Sequence, residues 1–143
     1  IEAYISEFQM EKKEGRNFHL ILLAKNLTGY KNLLKISSMG FLKGFYYRPR
    51  IDKEFLKEHS EGIIALSACM QGEISRAILE NENEKVIDKK IEEYVEIFGK
   101  ENFYLEIQGN GIDGQRELNK ELQRYSKKYG LKCVATNDTH YVY

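Results

Sequence analysis

The last ten residues, "VATNDTHYVY", set Asp138 and His140 two positions apart at the close of an apolar run. In a β-strand alternate residues face one way, so Val134, Thr136, Asp138 and His140 are expected on one side. A carboxylate beside an imidazole at a strand end is a pair of metal-ligand types. Three further donors stand at or near strand positions: Glu2 in "EAYIS", His19 ahead of "LILLA", and Cys69 closing "GIIALSAC". Imidazole, thiolate and carboxylate together suit zinc, manganese or iron. No short spacing such as CxxC or HExxH links the five, so each has a plainer alternative. Glu2 reads equally as a surface carboxylate, His19 as a capped or hydrogen-bonded histidine, Cys69 as a core thiol, and Asp138–His140 as a solvated strand end. His19 also begins its strand, whereas open α/β sheets gather ligands at strand carboxyl ends. The third histidine, His59 in "KEHSEG", reads as a solvated helix end.

A second constellation is "KGFYYRPRIDKE". Lys43, Arg48 and Arg50 interleave with Phe45, Tyr46 and Tyr47, a pattern that can hold phosphates or stack a base. The alternative is an aromatic-anchored loop with solvated basic residues. "QGNGIDGQ" is glycine-rich between a strand and a helix, but lacks both GxGxxG and the P-loop lysine, so it reads as a turn.

The elements that must position these groups alternate. Apolar or alternating runs predict five strands, over 2–6, 19–24, 62–69, 102–108 and 131–137. Helical patterns lie between them. "GYKNLLKISSMGFL" is expected to turn Leu33, Leu34, Ile36, Ser37, Met39 and Leu42 inward. Asp52 is a predicted N-cap. "GEISRAILEN" is a third helical pattern. "KVIDKKIEEYVEIFG" buries Val86, Ile87, Ile91, Tyr94, Val95 and Phe98 and closes on Gly99. "GQRELNKELQRYSKKYG" turns Leu118, Leu122 and Tyr125 inward and stops at Gly130. Strands alternating with helices predict one α/β domain over 1–143 with a largely parallel sheet; the only proline, Pro49, falls in a stretch read as irregular.

Composition agrees with a globular domain: 143 residues, 42% hydrophobic and 31% charged. Lysine plus arginine equals aspartate plus glutamate at 22 each, so nucleic-acid contact must come from a local patch. No membrane span or signal peptide is evident, and the chain opens within a strand without an initiator Met, so a fragment of a longer cytoplasmic protein is expected. By alternation Cys133 faces away from Asp138, into the core, so a Cys69–Cys133 disulfide is not expected.

The segments "HLILLAKNLTGYKNLLKISSMGFLKGFYYRPRID", "EGIIALSACMQGEI", "NFYLEIQ" and "LKCVATNDTHY" closely resemble, nearly end to end and in order, the PHP (polymerase and histidinol phosphatase) domain family. The form they match is that of the alpha subunit of bacterial replicative DNA polymerase III. The resemblance implies a distorted (β/α)7 barrel with up to three metal ions at its strand ends; about five strands with flanking helices are expected here, the N-terminal strands being missing. The family pattern has an HxH pair, an acidic residue and a further His, then Glu, His, Cys, Asp and His. The last five carry over onto Glu2, His19, Cys69, Asp138 and His140; the first four would precede Ile1. The loop "QGNGID" departs from a frequent family His at Asn110, to which no ligand role attaches. The resemblance further implies a divalent metal, zinc or manganese, and a parent that is a DNA-directed DNA polymerase, a nucleotidyltransferase of chromosome replication. Its partners would be DNA and other replicase subunits. Two roles stay open for the domain: metal-dependent 3′–5′ proofreading by phosphodiester hydrolysis, or a structural platform docking a separate proofreading exonuclease. A stand-alone phosphoesterase fits less well, because "GFYYRPRID" resembles the polymerase branch. With five of nine ligands, the isolated chain is expected to show no robust catalysis and to self-associate through an exposed sheet edge.

Overall fold

The computed structural model describes residues 1–141. In chain order the elements are β1 (Glu2–Ser6), β2 (Asn17–Ala24), α1 (Leu27–Leu42), β3 (Phe45–Tyr46), β4 (Arg48–Ile51), α2 (Lys53–Glu58), β5 (Ile63–Leu66), α3 (Glu73–Leu79), α4 (Glu84–Phe98), β6 (Phe103–Gln108), α5 (Gln115–Tyr129) and β7 (Lys132–Thr136). The strands form one sheet in the order β3-β4-β1-β2-β5-β6-β7.

Seven strands therefore replace the expected five. The additional pair, β3 and β4, is a hairpin within the stretch read as irregular. Pro49 lies ahead of the β1–β4 pairing, which joins Tyr4 to Arg50 and Ile5 to Ile51, so its missing N–H costs no bond there. The sheet is mixed rather than largely parallel. β1·β4, β5·β6 and β6·β7 are parallel, whereas β1·β2, β2·β5 and β3·β4 are antiparallel. β1 and β2 are joined by a loop with no helix to carry the chain across, so β2 must return antiparallel. This reversal resolves the position of His19. Ile21 pairs with Leu66, so the start of β2 lies beyond the carboxyl end of β5.

Alternation gives the sheet two distinct faces. Ala3, Ile5, Leu20, Leu22, Ile63, Ala65, Phe103 and Leu105 join one core with the helices, which contribute Ile36, Leu56, Ile74, Ile91, Leu118 and Leu122 among others. Cys133 packs against this core, as its parity predicts, and both cysteines are free. The other face carries Tyr4, His19, Ile21, Ile64, Tyr104 and Thr136, all half-buried, with no helix of the described residues packed over them.

The helices follow their sequence signals with local exceptions. Asp52 caps α2, accepting the Phe55 N–H at 2.8 Å. Gly99 and Gly130 end α4 and α5 at φ 78° and 65°. Ile87, Ile91, Tyr94 and Phe98 are buried on α4, but Val86 is exposed. On α1, Leu34 and Leu42 are exposed, and Gly29, Asn32 and Gly40 point inward with Leu33 and Ile36. The helix approaches too closely for larger groups: a Cβ on Gly29 would lie 1.8 Å from the Gly62 carbonyl oxygen. Asn32 instead donates to the Glu61 carbonyl at 2.9 Å. His59 is not simply solvated; its ring stacks on Phe55 at 4.1 Å and its Nδ1 lies 2.9 Å from the Phe55 carbonyl.

Candidate functional site

Glu2 and His19 reach each other across the β1–β2 pair. Tyr4 stands opposite His19 in the register and Glu2 opposite Ile21, so Glu2 is a diagonal neighbour of His19. Glu2 Oε2 lies 3.3 Å from His19 Nδ1, and the Tyr4 ring meets the imidazole edge-on at 5.1 Å. The carboxylate and the ring nitrogen are close enough for an ion pair when the imidazole is protonated.

Cys69 comes from the turn after β5. The strand ends at Leu66, three residues earlier than its apolar run suggests, because Ala68 takes a left-handed conformation at φ 65°. The following turn docks on β2. His19 N–H donates to the Gln71 carbonyl at 3.0 Å, and Gly72 N–H donates back to the Cys69 carbonyl at 2.9 Å. Gly72 is required there, since a Cβ would sit 2.0 Å from the Ser67 carbonyl oxygen. The turn brings Cys69 Sγ to 3.8 Å from His19 Nδ1. Burial pushes the Cys69 thiol pKa up; a hydrogen bond with the Gln71 backbone opposes this, and the charges of Asp138 and Glu2 add to the rise. The surroundings are anionic, which disfavours thiolate unless a cation is present.

The terminal pair departs from its expected geometry. β7 ends at Thr136, and Asp138 has φ 51°, so Asp138 and His140 do not continue a strand or its alternation. Asp and Asn tolerate this conformation better than other non-glycine residues, and no strand signal reveals it. His140 is exposed, with Nδ1 2.8 Å from the Asp138 carbonyl oxygen. That carbonyl fixes the proton on Nδ1 and frees Nε2, the arrangement usual for ligating histidines. The structure thus brings Glu2, His19 and Cys69 together, and sets His140 against the Asp138 backbone, with no contact between His140 and the other three among the described residues. Donor chemistry fits a divalent metal. Among the described residues, however, no three His, Cys, Asp or Glu side chains are disposed to hold one.

The basic segment divides. Arg50 is fully buried, and its guanidinium donates to the carbonyls of Gly44 (3.2 Å), Glu14 (2.9 Å), Met10 (3.2 Å) and Lys12 (2.8 Å). Four of its five N–H donors serve the fold and the side chain is out of reach of a ligand, which corrects its reading as a phosphate or DNA contact. Lys43 and Arg48 are exposed. Arg48 lies over the Tyr4 ring at 5.6 Å, so a chain of contacts joins the hairpin to His19 through Tyr4.

Two buried carboxylates escaped sequence reasoning. Glu73 pairs with Lys53 (2.8 Å) and Lys90 (3.3 Å) and accepts from Tyr94 (2.8 Å). Glu106 lies on the open-face side of β6; its strand alternation, with Gln108 two residues on, was the one available signal. A hollow of about 810 Å³ is lined by Phe8, Lys53, Glu73, Val86, Lys89 and Glu93 among others and contains none of the five donors. Its central lysine, Lys53, is neutralised by Glu73 and Glu93.

Comparison with known proteins agrees with this architecture. The family model described as "PHP domain" matches residues 1–110. The chain is 44% identical over 147 residues to "DNA polymerase III subunit alpha" of Thermus aquaticus, covering 99% of this chain and 12% of that protein. The proteins of the same name from Borreliella burgdorferi and Helicobacter pylori are 47% and 49% identical, again over 99% of this chain, with 13% and 12% of their own lengths covered. The chain therefore spans roughly an eighth of these relatives, and by the family match it belongs to the PHP domain family.

Proposed function

We propose that this chain is the PHP portion of a bacterial replicative DNA polymerase, a DNA-directed nucleotidyltransferase acting on DNA with other replicase subunits. Its similarity over 99% of its length to alpha subunits supports that reading. The sheet is taken as part of a distorted (β/α)7 barrel, and its open face as the site of divalent metal binding through Glu2, His19, Cys69, Asp138 and His140. One observation carries the site: Glu2, His19 and Cys69, from two strands and a turn, meet within 3.3 and 3.8 Å on that face. Zinc or manganese held there would lower the pKa of a water and screen phosphodiester oxygens during 3′–5′ hydrolysis. The chain's own groups have definite tasks. Glu2 stands against His19 Nδ1, the Asp138 carbonyl accepts from His140 Nδ1 and leaves its Nε2 free, and exposed Lys43 and Arg48 can meet backbone phosphates.

In the full-length protein, His140→Ala is expected to lower metal-dependent nuclease activity at least tenfold without changing the melting temperature, on the scale of losses seen when metal-site groups are removed. Equal activity in both proteins would refute hydrolysis at this site. The second reading, a non-catalytic platform docking a separate exonuclease, is favoured by the lack of any assembled three-donor group among the described residues. It predicts that same equality.

A further inference from the structure

Glu106 is only 5% exposed, and it sits between the two strands that deliver Cys69 and Asp138. Its backbone N–H donates to Ser67 Oγ at 2.8 Å, two residues before Cys69. In the β6–β7 register Glu106 faces Val134 and Gln108 faces Thr136, two residues before Asp138. One carboxylate oxygen, Oε1, is well supplied: the Thr136 hydroxyl and the Gln108 amide (3.3 Å) both donate to it. The other, Oε2, is buried and has no hydrogen-bond partner among the described residues. No lysine, arginine or histidine pairs with the carboxylate there either.

A buried carboxylate with half its acceptors empty and no counter-charge opposes folding by the desolvation of its charge. Such a group persists where something bound supplies the missing donor or charge. Glu106 alternates with Leu105 and Ile107, which belong to the helix-covered face, so its side chain is on the side that carries His19 and Thr136. Its partners on either side, Ser67 and Thr136, each stand two residues before an expected donor, Cys69 and Asp138.

We propose that Glu106 is an additional cation-binding carboxylate of this face: Oε1 fastens the end of β7 through Thr136, and Oε2 is held open for a divalent cation. This rests on the metal-binding reading above, but Glu106 lies outside the nine-ligand pattern that the family resemblance implies. It also accounts for a strand signal, polar Glu106 and Gln108 on one side of "NFYLEIQ", that the five expected ligands leave unused.

The test is Glu106→Gln in the full-length protein, with melting temperature followed during a manganese titration and manganese affinity measured by calorimetry. Glutamine keeps an oxygen for Thr136 and Gln108 but removes the charge. The expected result has two opposite parts. The cation-free variant melts at or above the wild-type temperature, because an unsatisfied buried charge has gone. Its affinity for manganese falls about tenfold or more, so its manganese-induced stabilisation shrinks. A lower cation-free melting temperature would assign the carboxylate to the fold and overturn the proposal. A manganese response equal to wild type, as for a carboxylate satisfied by water, would overturn it too. A wild-type protein that itself gains nothing from manganese would instead sink the metal reading beneath it. Should the glutamine variant not fold, Glu106→Asp, with the charge kept but withdrawn, carries the same comparison: weakened manganese binding supports the proposal and wild-type binding refutes it.

Discussion

Arg50→Ala is expected to destabilise the domain by about 3–5 kcal/mol, enough to leave little folded protein. The arginine is fully buried and has no acidic partner among the described residues; four backbone carbonyls solvate its charge instead. Three of them, from Met10, Lys12 and Glu14, belong to the loop between β1 and β2, and the fourth, Gly44, precedes the β3–β4 hairpin. The side chain therefore ties the loop that reverses β2 to the strand beside β1. Removing it leaves the buried Gly44 and Met10 carbonyls without its donors and a cavity under the Tyr46 ring, which it now faces at 4.9 Å. Arg50→Lys is expected to recover only part of the loss, because one ammonium cannot reproduce the planar fork that reaches all four acceptors. Urea unfolding midpoints measure both. Losses under about 1 kcal/mol for alanine would show that this staple is not structural.

Glu73→Ala is expected to cost about as much, roughly 3–5 kcal/mol, by stranding the Lys90 ammonium and the buried Tyr94 hydroxyl and leaving Lys53 to Glu93 alone. Glu73→Gln should cost less, since it retains an acceptor for Tyr94. The group also sets a pH dependence. Burial pushes the Glu73 pKa up, but the Lys53 charge and hydrogen bond, the Tyr94 hydroxyl and the Lys90 charge together outweigh it and hold the pKa below its ordinary value. A depressed carboxylate contributes fully above its unfolded pKa, about 4.3, and its contribution disappears as pH falls through the folded value. Wild-type stability is therefore expected to fall on acidification through this window, and the Glu73→Gln variant to fall less. Parallel stability-versus-pH curves for the two would contradict the assignment.

Much of the fold was legible because it is written locally. Period-two alternation identified the strand around Leu105, and Asp52, Gly99 and Gly130 marked helix ends through side-chain and backbone preferences that operate within a few residues. What was missed depends on distant parts of the chain. The reversal of β2 is a property of pairing between β1, β2 and β5, and it alone explains how a histidine at a strand's beginning stands at its neighbour's end. A buried arginine looks like a surface one in sequence, since what neutralises it are carbonyls some forty residues upstream and at Gly44. For the site, residue types named the donors, but they could not reveal that Asp138 leaves the strand in a left-handed conformation, or that Glu2 lies against His19 Nδ1. Glu106 was visible only as an alternation, because burial, not identity, makes it unusual.

The central claim is that donors scattered along the chain serve one cation site on the open sheet face. Its most direct test is calorimetric titration of manganese or zinc into the full-length protein and into its His19→Ala and Cys69→Ala variants. Saturable binding by the wild-type protein, weakened tenfold or more by each substitution, is the expected result. Identical binding by all three proteins would contradict it.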